Sequence, residues 1–345
     1  MTNESTADRP VHLVGSVPLG NAEEVFRTSA AALGGALKRI PDGETGVRSN
    51  WIMWQYPLLA ENPAFEALPY DAARYGTGRQ AKLRPGVAAD AIAFRAPGYA
   101  AAAIESYAQF VRLRREGAIP PGIRFQVCLP TPLAPISVFV PPPDREAVEP
   151  RYEAALLADL KQLMDMIPAT DLAVQWDTAV EFGILEGVMP SHLTDPQPQI
   201  VERLVRLGNA VPAAVELGYH LCYGDYRHRH FVEPADAGRL TAIANAVSAG
   251  VQRPLQWVHL PVPRGRDDEA YFAPLRDLKL HPETELYLGL VHLTDGVAGT
   301  RRRMTTAAGV VPWFGIAAEC GMGRRPPESI PELLRIHAEA ARTPL

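Results

Sequence analysis

A histidine and a cysteine flank one leucine at His220-Leu221-Cys222, inside a run of apolar residues. If that run is a strand, His220 and Cys222 share a face, because side chains alternate along a strand. An imidazole and a thiolate on one face can grip a single metal ion, and mixed nitrogen and sulfur ligands favour Zn2+. One such pair is a weak indication by itself. A further cysteine, Cys320, ends a later apolar run, and other runs end in Asp42-Gly43-Glu44, Asp177, His259, His292 and Glu319. These are residue types suited to metal binding or acid–base catalysis. The plain alternative for Cys222 and Cys320 is that of small buried hydrophobes.

The elements that must position these groups alternate along the chain. Eight short apolar runs read as strands: Val11–Val17, Leu37–Pro41, Arg124–Leu129, Leu172–Trp176, Leu217–Tyr223, Leu255–Leu260, Glu285–His292 and Trp313–Glu319. Helical patterns follow them at Ala22–Leu33, Tyr99–Arg115, Ala147–Ile167, Gln199–Val215, Pro234–Ala249, Asp268–Leu278, Val297–Ala308 and Ser329–Ala341. Alternating strands and helices imply a parallel sheet, and eight pairs predict an α/β fold with one (β/α)8 TIM barrel over residues 1–345. In such a barrel the C-terminal strand ends build the active site, and that is where the polar residues fall. An open doubly wound sheet is the main alternative, but its first turn usually carries GxGxxG, and Gly15-Ser16-Val17-Pro18-Leu19-Gly20 does not. Between strands 2 and 3 lies a long insertion, Asn50–Pro97, with Trp51, Trp54, Tyr56, Phe65, Tyr70 and Tyr75. Long connections often serve as lids or binding elements, and this one equally suits a helical cover.

Composition narrows the function classes. A net charge of −5 offers no basic footprint for nucleic acid. No run of about 18 apolar residues exists, so no membrane span is expected. The first ten residues are polar and lack the apolar core of a signal peptide. Three cysteines are too few for a disulfide framework and predict a reducing, cytoplasmic location. Arginines follow strands 6, 7 and 8: Arg264 and Arg266, Arg301 to Arg303, and Arg324 and Arg325. Guanidinium forks match carboxylate or phosphate, so Arg264 and Arg266 are expected to contact an anionic substrate. Arg301 to Arg303 point different ways on a helix and suit a solvated surface better.

Several segments together resemble the catalytic barrel of cobalamin-independent methionine synthase, within the superfamily that includes uroporphyrinogen decarboxylase: His12-Leu13-Val14-Gly15-Ser16, Val174-Gln175-Trp176-Asp177, His220-Leu221-Cys222-Tyr223 and Cys320-Gly321-Met322-Gly323. The resemblance covers most of the chain. It implies methyl transfer to a thiol, with Zn2+ as cofactor and a folate-type methyl donor as co-substrate. It carries the metal ligands to His220, Cys222 and Cys320. The family's fourth ligand is a glutamate on strand 6, where this chain has His259, so His259 is the expected fourth group. It also implies that Asp177 and Glu44 hold the substrate amino group, that the Ser16 backbone grips its carboxylate, and that His292 transfers a proton near the acceptor. Two departures stand out. Strand 4 reads Asp177-Thr178-Ala179 in place of the family's Asp-Glu-Pro. The chain also has room for only one barrel, so a donor with a polyglutamate tail, which the second barrel helps to hold, is not expected.

The competing reading is a metal-free lyase or decarboxylase of the uroporphyrinogen decarboxylase type, with Asp177, His259 and His292 acting on an anionic or aromatic substrate. The lost strand-6 glutamate favours it, and the retained HxC and Cys320 oppose it. A non-catalytic binding barrel is a third reading, opposed by the number of titratable groups on one rim. All three predict small-molecule partners, and none gives the oligomeric state.

Overall fold

The computed structural model describes residues 8–74, 76, 78–226 and 229–344; Tyr75 lies outside them. Eight parallel strands form the barrel: β1 (Val11–His12), β2 (Arg39–Pro41), β3 (Arg124–Pro130), β4 (Leu172–Thr178), β5 (Glu216–Leu221), β6 (Trp257–Pro261), β7 (Glu285–Val291) and β8 (Gly315–Ala318). Their spatial order is β1-β8-β7-β6-β5-β4-β3-β2. Single parallel bridges from Val11 to Leu37 and from Ser16 to Gly43 join β1 to β2 and close the ring. This is the predicted (β/α)8 architecture.

Helices cover the outside because each has one apolar stripe to bury. In the helix Ala22–Leu33 the buried residues are Ala22, Val25, Phe26, Ser29, Ala30 and Leu33, the spacing of one helical face. Asn21 caps it, its side chain accepting from the Glu24 amide at 3.0 Å. Burying Phe26 or Leu33 fully contributes about 1.5–3 kcal/mol each. The predicted helix Gln199–Val215 runs instead over Pro196–Asn209, stopping short of Pro212, which cannot continue a helical ladder. The predicted Asp268–Leu278 divides into a turn of α-helix, Glu269–Phe272, and a 3-10 segment, Ala273–Asp277, at Pro274.

Inside the barrel the side chains lie in layers. Ala173, Trp257 and Tyr287 form a small cluster apart from the main core. Trp257 fits only because β5 has a glycine opposite: a β-carbon on Gly218 would stand 1.9 Å from the indole. Above this floor come His12, Gln175, His220 and His259, and alternation puts Asp177 and Cys222 one step nearer the mouth. Strand β1 is shorter than its apolar run predicts. The Leu13 and Val14 carbonyls accept from side chains, Gln126 Nε2 at 3.0 Å and Gln175 Nε2 at 2.6 Å. This turns Gly15 and Ser16 into the lip of a pocket.

The insertion after β2 is built from a 3-10 turn at Trp51–Gln55, a short helix at Tyr56–Ala60, and an antiparallel hairpin pairing Phe65–Ala67 with Ala81–Leu83. It buries Ile52, Leu58, Leu59 and Phe65 against the barrel. Among the described residues no helix is long and apolar enough to cross a membrane.

Candidate metal centre and its surroundings

His220, Cys222 and Cys320 converge at the mouth. One ligand atom from each lies within 4.8 Å of the others. Cys222 Sγ is 3.6 Å from Cys320 Sγ, and Cys320 Sγ is 3.6 Å from His220 Nε2. The adjacent Cys222 thiol, together with burial, raises the pKa of Cys320 well above that of a free thiol. Two thiolates at this separation repel one another unless a cation lies between them.

His259 occupies a different place from the one expected of a fourth ligand. It is the direct neighbour of His220 in the parallel register of β5 and β6. Its Nδ1 is 2.7 Å from His220 Nδ1, and its Nε2 is 3.0 Å from the Ala318 carbonyl. A carbonyl only accepts, so Nε2 of His259 carries the hydrogen. Burial depresses the His259 pKa to about 3, so the ring is neutral and its Nδ1 is a bare acceptor. His220, also neutral through burial, must then donate from Nδ1. The network therefore assigns the free lone pair of His220 to Nε2, the nitrogen that faces Cys320. His259 orients the His220 imidazole from behind and lies outside the group that His220, Cys222 and Cys320 form.

The same pocket is lined by Gly15, Ser16, Glu44, Trp51, Asp177, Asp225 and Arg324. Asp177 is buried at the end of β4, where Gln175, two residues earlier on the same face, donates to its Oδ1 at 2.8 Å. Burial first, and then the charge of Glu44, raise the Asp177 pKa well above the ordinary carboxylate range. Glu44 has a left-handed backbone, φ 49°, and its amide donates to Asp42 Oδ1 at 2.9 Å. Desolvation pushes its pKa up to about 7, against the pull of Arg48. Asp42 is fully engaged by Arg48, Ser106 and the Glu44 amide, so it shapes this turn.

The loop after β8 explains the glycines following Cys320. Ser16 Oγ accepts from the Gly323 amide at 3.1 Å, and its carbonyl accepts from Met322 at 2.7 Å. A β-carbon on Gly321 would stand 2.4 Å from Ser16 Oγ. Only glycine permits this approach, which holds Cys320 over the pocket.

A second cavity, about 410 Å3, lies beside the first and is lined by Arg264, His292, Thr294, Glu319 and Arg325. His292 Nε2 donates to the Val262 carbonyl at 2.8 Å, and its Nδ1 is 3.5 Å from Glu319. The other oxygen of Glu319 meets His230 Nε2 at 2.8 Å. Burial opposes charge on His230, but Glu319 outweighs it and lifts the His230 pKa to about 9. Sequence reasoning missed Gln175, His230 and the role of Glu319. His230 lies in a loop without periodicity, whereas Glu319 was visible beside Cys320.

The two arginines expected at the substrate part company. Arg264 lines the second cavity. Arg266 does not: its guanidinium grips Asp268 at 2.7 and 3.0 Å and the Ala235 carbonyl at 2.6 Å, and it lies over the Tyr271 ring. It is committed to holding a surface loop. Arg303 is buried on Asp295 and on the Leu290 and Arg264 carbonyls. Arg301 and Arg302 are exposed on the same helix.

No protein-family model matches the sequence, and no curated protein matches it. Solved structures do resemble it. A putative vitamin-B12-independent methionine synthase from Listeria monocytogenes superposes with a TM-score of 0.56 at 15% identity, covering 98% of each chain. A B12-independent methionine synthase from Shewanella sp. W3-18-1, in complex with selenomethionine, gives a TM-score of 0.63 at 13% identity over 97% of each chain. At these identities the likeness establishes the fold. It is the fold that the segments around His12, Asp177, His220 and Cys320 implied.

Proposed function

We propose that this chain is a zinc-dependent transferase that moves a methyl or small alkyl group onto the sulfur of a small thiol. The observation that carries the reading is an imidazole nitrogen with its lone pair turned outward, converging with two thiols in one pocket. This donor set fits Zn2+: soft sulfur, neutral nitrogen and three protein ligands, leaving a fourth position exchangeable. His220, Cys222 and Cys320 would hold the ion, with His259 as the outer partner of His220. Bound there, it would supply the positive charge that keeps an acceptor thiol ionised at neutral pH.

The chain's own groups supply the rest. Asp177 and Glu44 would bind a cationic amino group on the acceptor, and the Ser16 backbone would take its carboxylate. Gln175 keeps Asp177 turned toward the pocket. The acceptor sulfur attacks the methyl carbon in line, and the atom that departs takes up a proton. His292 and Glu319 lead from the thiol side to His230, which carries a proton at neutral pH, and this is where the proton is held. Arg264 would meet an anionic methyl donor of folate type. Positioning of this kind accounts for most of the expected rate gain.

One observation favours a second reading. Glu44 and Asp177 face one pocket, both with raised pKa values, Glu44 at about 7, so acid–base chemistry is available there near neutrality. With His292 they would serve a metal-free lyase or decarboxylase acting on an anionic or aromatic substrate. Elemental analysis of protein purified without chelator separates the two. The transferase reading expects one zinc per chain and loss of it in Cys222→Ser. A wild type that holds none, and gains none when Zn2+ is added, promotes the lyase.

A further inference from the structure

A third cavity, about 530 Å3, lies away from the thiols, between the insertion and the loop after β5. Its size is that of an ordinary small-molecule site. Its wall contains Arg145, which is 1% exposed. The guanidinium touches three carbonyls, Val140 at 2.8 Å, Pro190 at 2.5 Å and Ser137 at 2.7 Å. No carboxylate pairs with it among the described residues. Buried guanidinium groups are normally matched by an anion, because carbonyl dipoles offset only part of the cost of taking the charge out of water. Burial accordingly pulls the Arg145 pKa down to about 10. Three of its five donors are engaged, which leaves donors for a ligand.

A second observation points to the same place. Ser137 also lines this cavity, is 9% exposed, and its hydroxyl has no hydrogen-bond partner. A buried hydroxyl left unpaired costs about 1–3 kcal/mol, so its presence beside an unmatched cation calls for a shared acceptor. The remaining wall combines an apolar part, Val138, Met189 and Phe231, with the cationic groups Arg74 and Arg229. His230 and Arg229 border both this cavity and the one beside the thiols, so the two adjoin.

We propose that this cavity is a binding site for an organic anion, its carboxylate or phosphate seated on Arg145 and Ser137 and its apolar body against Val138, Met189 and Phe231. The site is separate from the metal centre and does not depend on the transferase reading.

Calorimetric titration of the intact chain with benzoate, phenyl phosphate and the neutral benzyl alcohol tests it. Saturable binding of one of the two anions, at least tenfold tighter than benzyl alcohol, is expected; whichever anion binds better identifies a carboxylate or a phosphate ester as the natural group. Arg145→Met should abolish the preference, but Arg145 also ties down the carbonyls ending the helix Leu133–Phe139, so that variant is at risk of misfolding. Ser137→Ala removes a hydroxyl with no internal partner, keeps the fold, and should weaken anion binding about tenfold. Anions binding no tighter than benzyl alcohol, or anion binding unchanged in Ser137→Ala, would overturn the proposal. No thiol or metal enters the titration, so its result is independent of the zinc question.

Discussion

Replacing His259 by alanine isolates its role behind His220. The substitution removes the acceptor for His220 Nδ1–H and frees the ring to adopt either tautomer. If the two tautomers became equal in energy, half the molecules would keep Nε2 bare, and metal affinity would fall only twofold, about 0.4 kcal/mol. Loss of ring orientation and of ligand basicity adds to this, and outer-shell partners of metal-bound histidines are typically worth 10- to 100-fold. We therefore expect zinc affinity to drop at least about tenfold. Stability should fall as well, by about 2–4 kcal/mol, because a buried ring is lost and the Ala318 carbonyl loses its donor. His259→Gln separates the two effects, since its amide oxygen can accept from His220 while its NH2 donates to Ala318. Chelator competition on folded protein gives the affinities. Gln should recover most of the zinc affinity lost in Ala. A His259→Ala protein that folds and binds zinc as tightly as the wild type would refute the tautomer argument.

Three further outcomes are expected. Gly321→Ala drives a β-carbon into Ser16 and should cost about 1–3 kcal/mol, with a drop in zinc affinity because Cys320 is displaced; thermal melts and chelator competition read the two. Glu44, with its pKa near 7, can pair with an amine only when deprotonated, so affinity for a cationic acceptor should weaken roughly tenfold per pH unit below 7, and Glu44→Gln should flatten that profile. Because folded Glu44 holds its proton more tightly than the unfolded chain, the stability it contributes is present below about pH 4.5 and is lost as pH rises through about 7, which pH-dependent melts of wild type and Glu44→Gln would show. Arg264→Ala should raise KM for an anionic donor while leaving the melting temperature unchanged, whereas Arg266→Ala should lower the melting temperature and leave KM alone.

The barrel was legible because its strands are apolar on both faces and its helices on one, so the two periods separate cleanly. The shared face of His220 and Cys222 followed from alternation alone. What alternation cannot say is how rings in adjacent strands meet. His220 and His259 are partners in register, so their rings lie side by side, and one nitrogen of each is consumed by the other. A glutamate at 259 could accept from His220 but has no N–H to donate to the Ala318 carbonyl. Register also hid the rim around Glu319, where β8 carries an irregularity against β7 between Ile316 and Ala318 that re-aims the residues after it. The fate of Arg266 was written locally, in Asp268 two positions away, but a charge cluster read only as a cluster conceals it. His230 had no pattern to betray it, because loop residues are placed by tertiary contacts.

Under the proposed function, His220, Cys222 and Cys320 would hold one metal ion with a position open to a thiol. Titrating metal-free protein with Co2+ tests it most directly, because sulfur-to-cobalt charge-transfer bands appear only when thiolates bind the ion. The bands should saturate at one equivalent, strengthen when a small thiol such as homocysteine is added, and weaken in both Cys222→Ser and Cys320→Ser. Cobalt binding without sulfur bands, or bands indifferent to both substitutions, would contradict it.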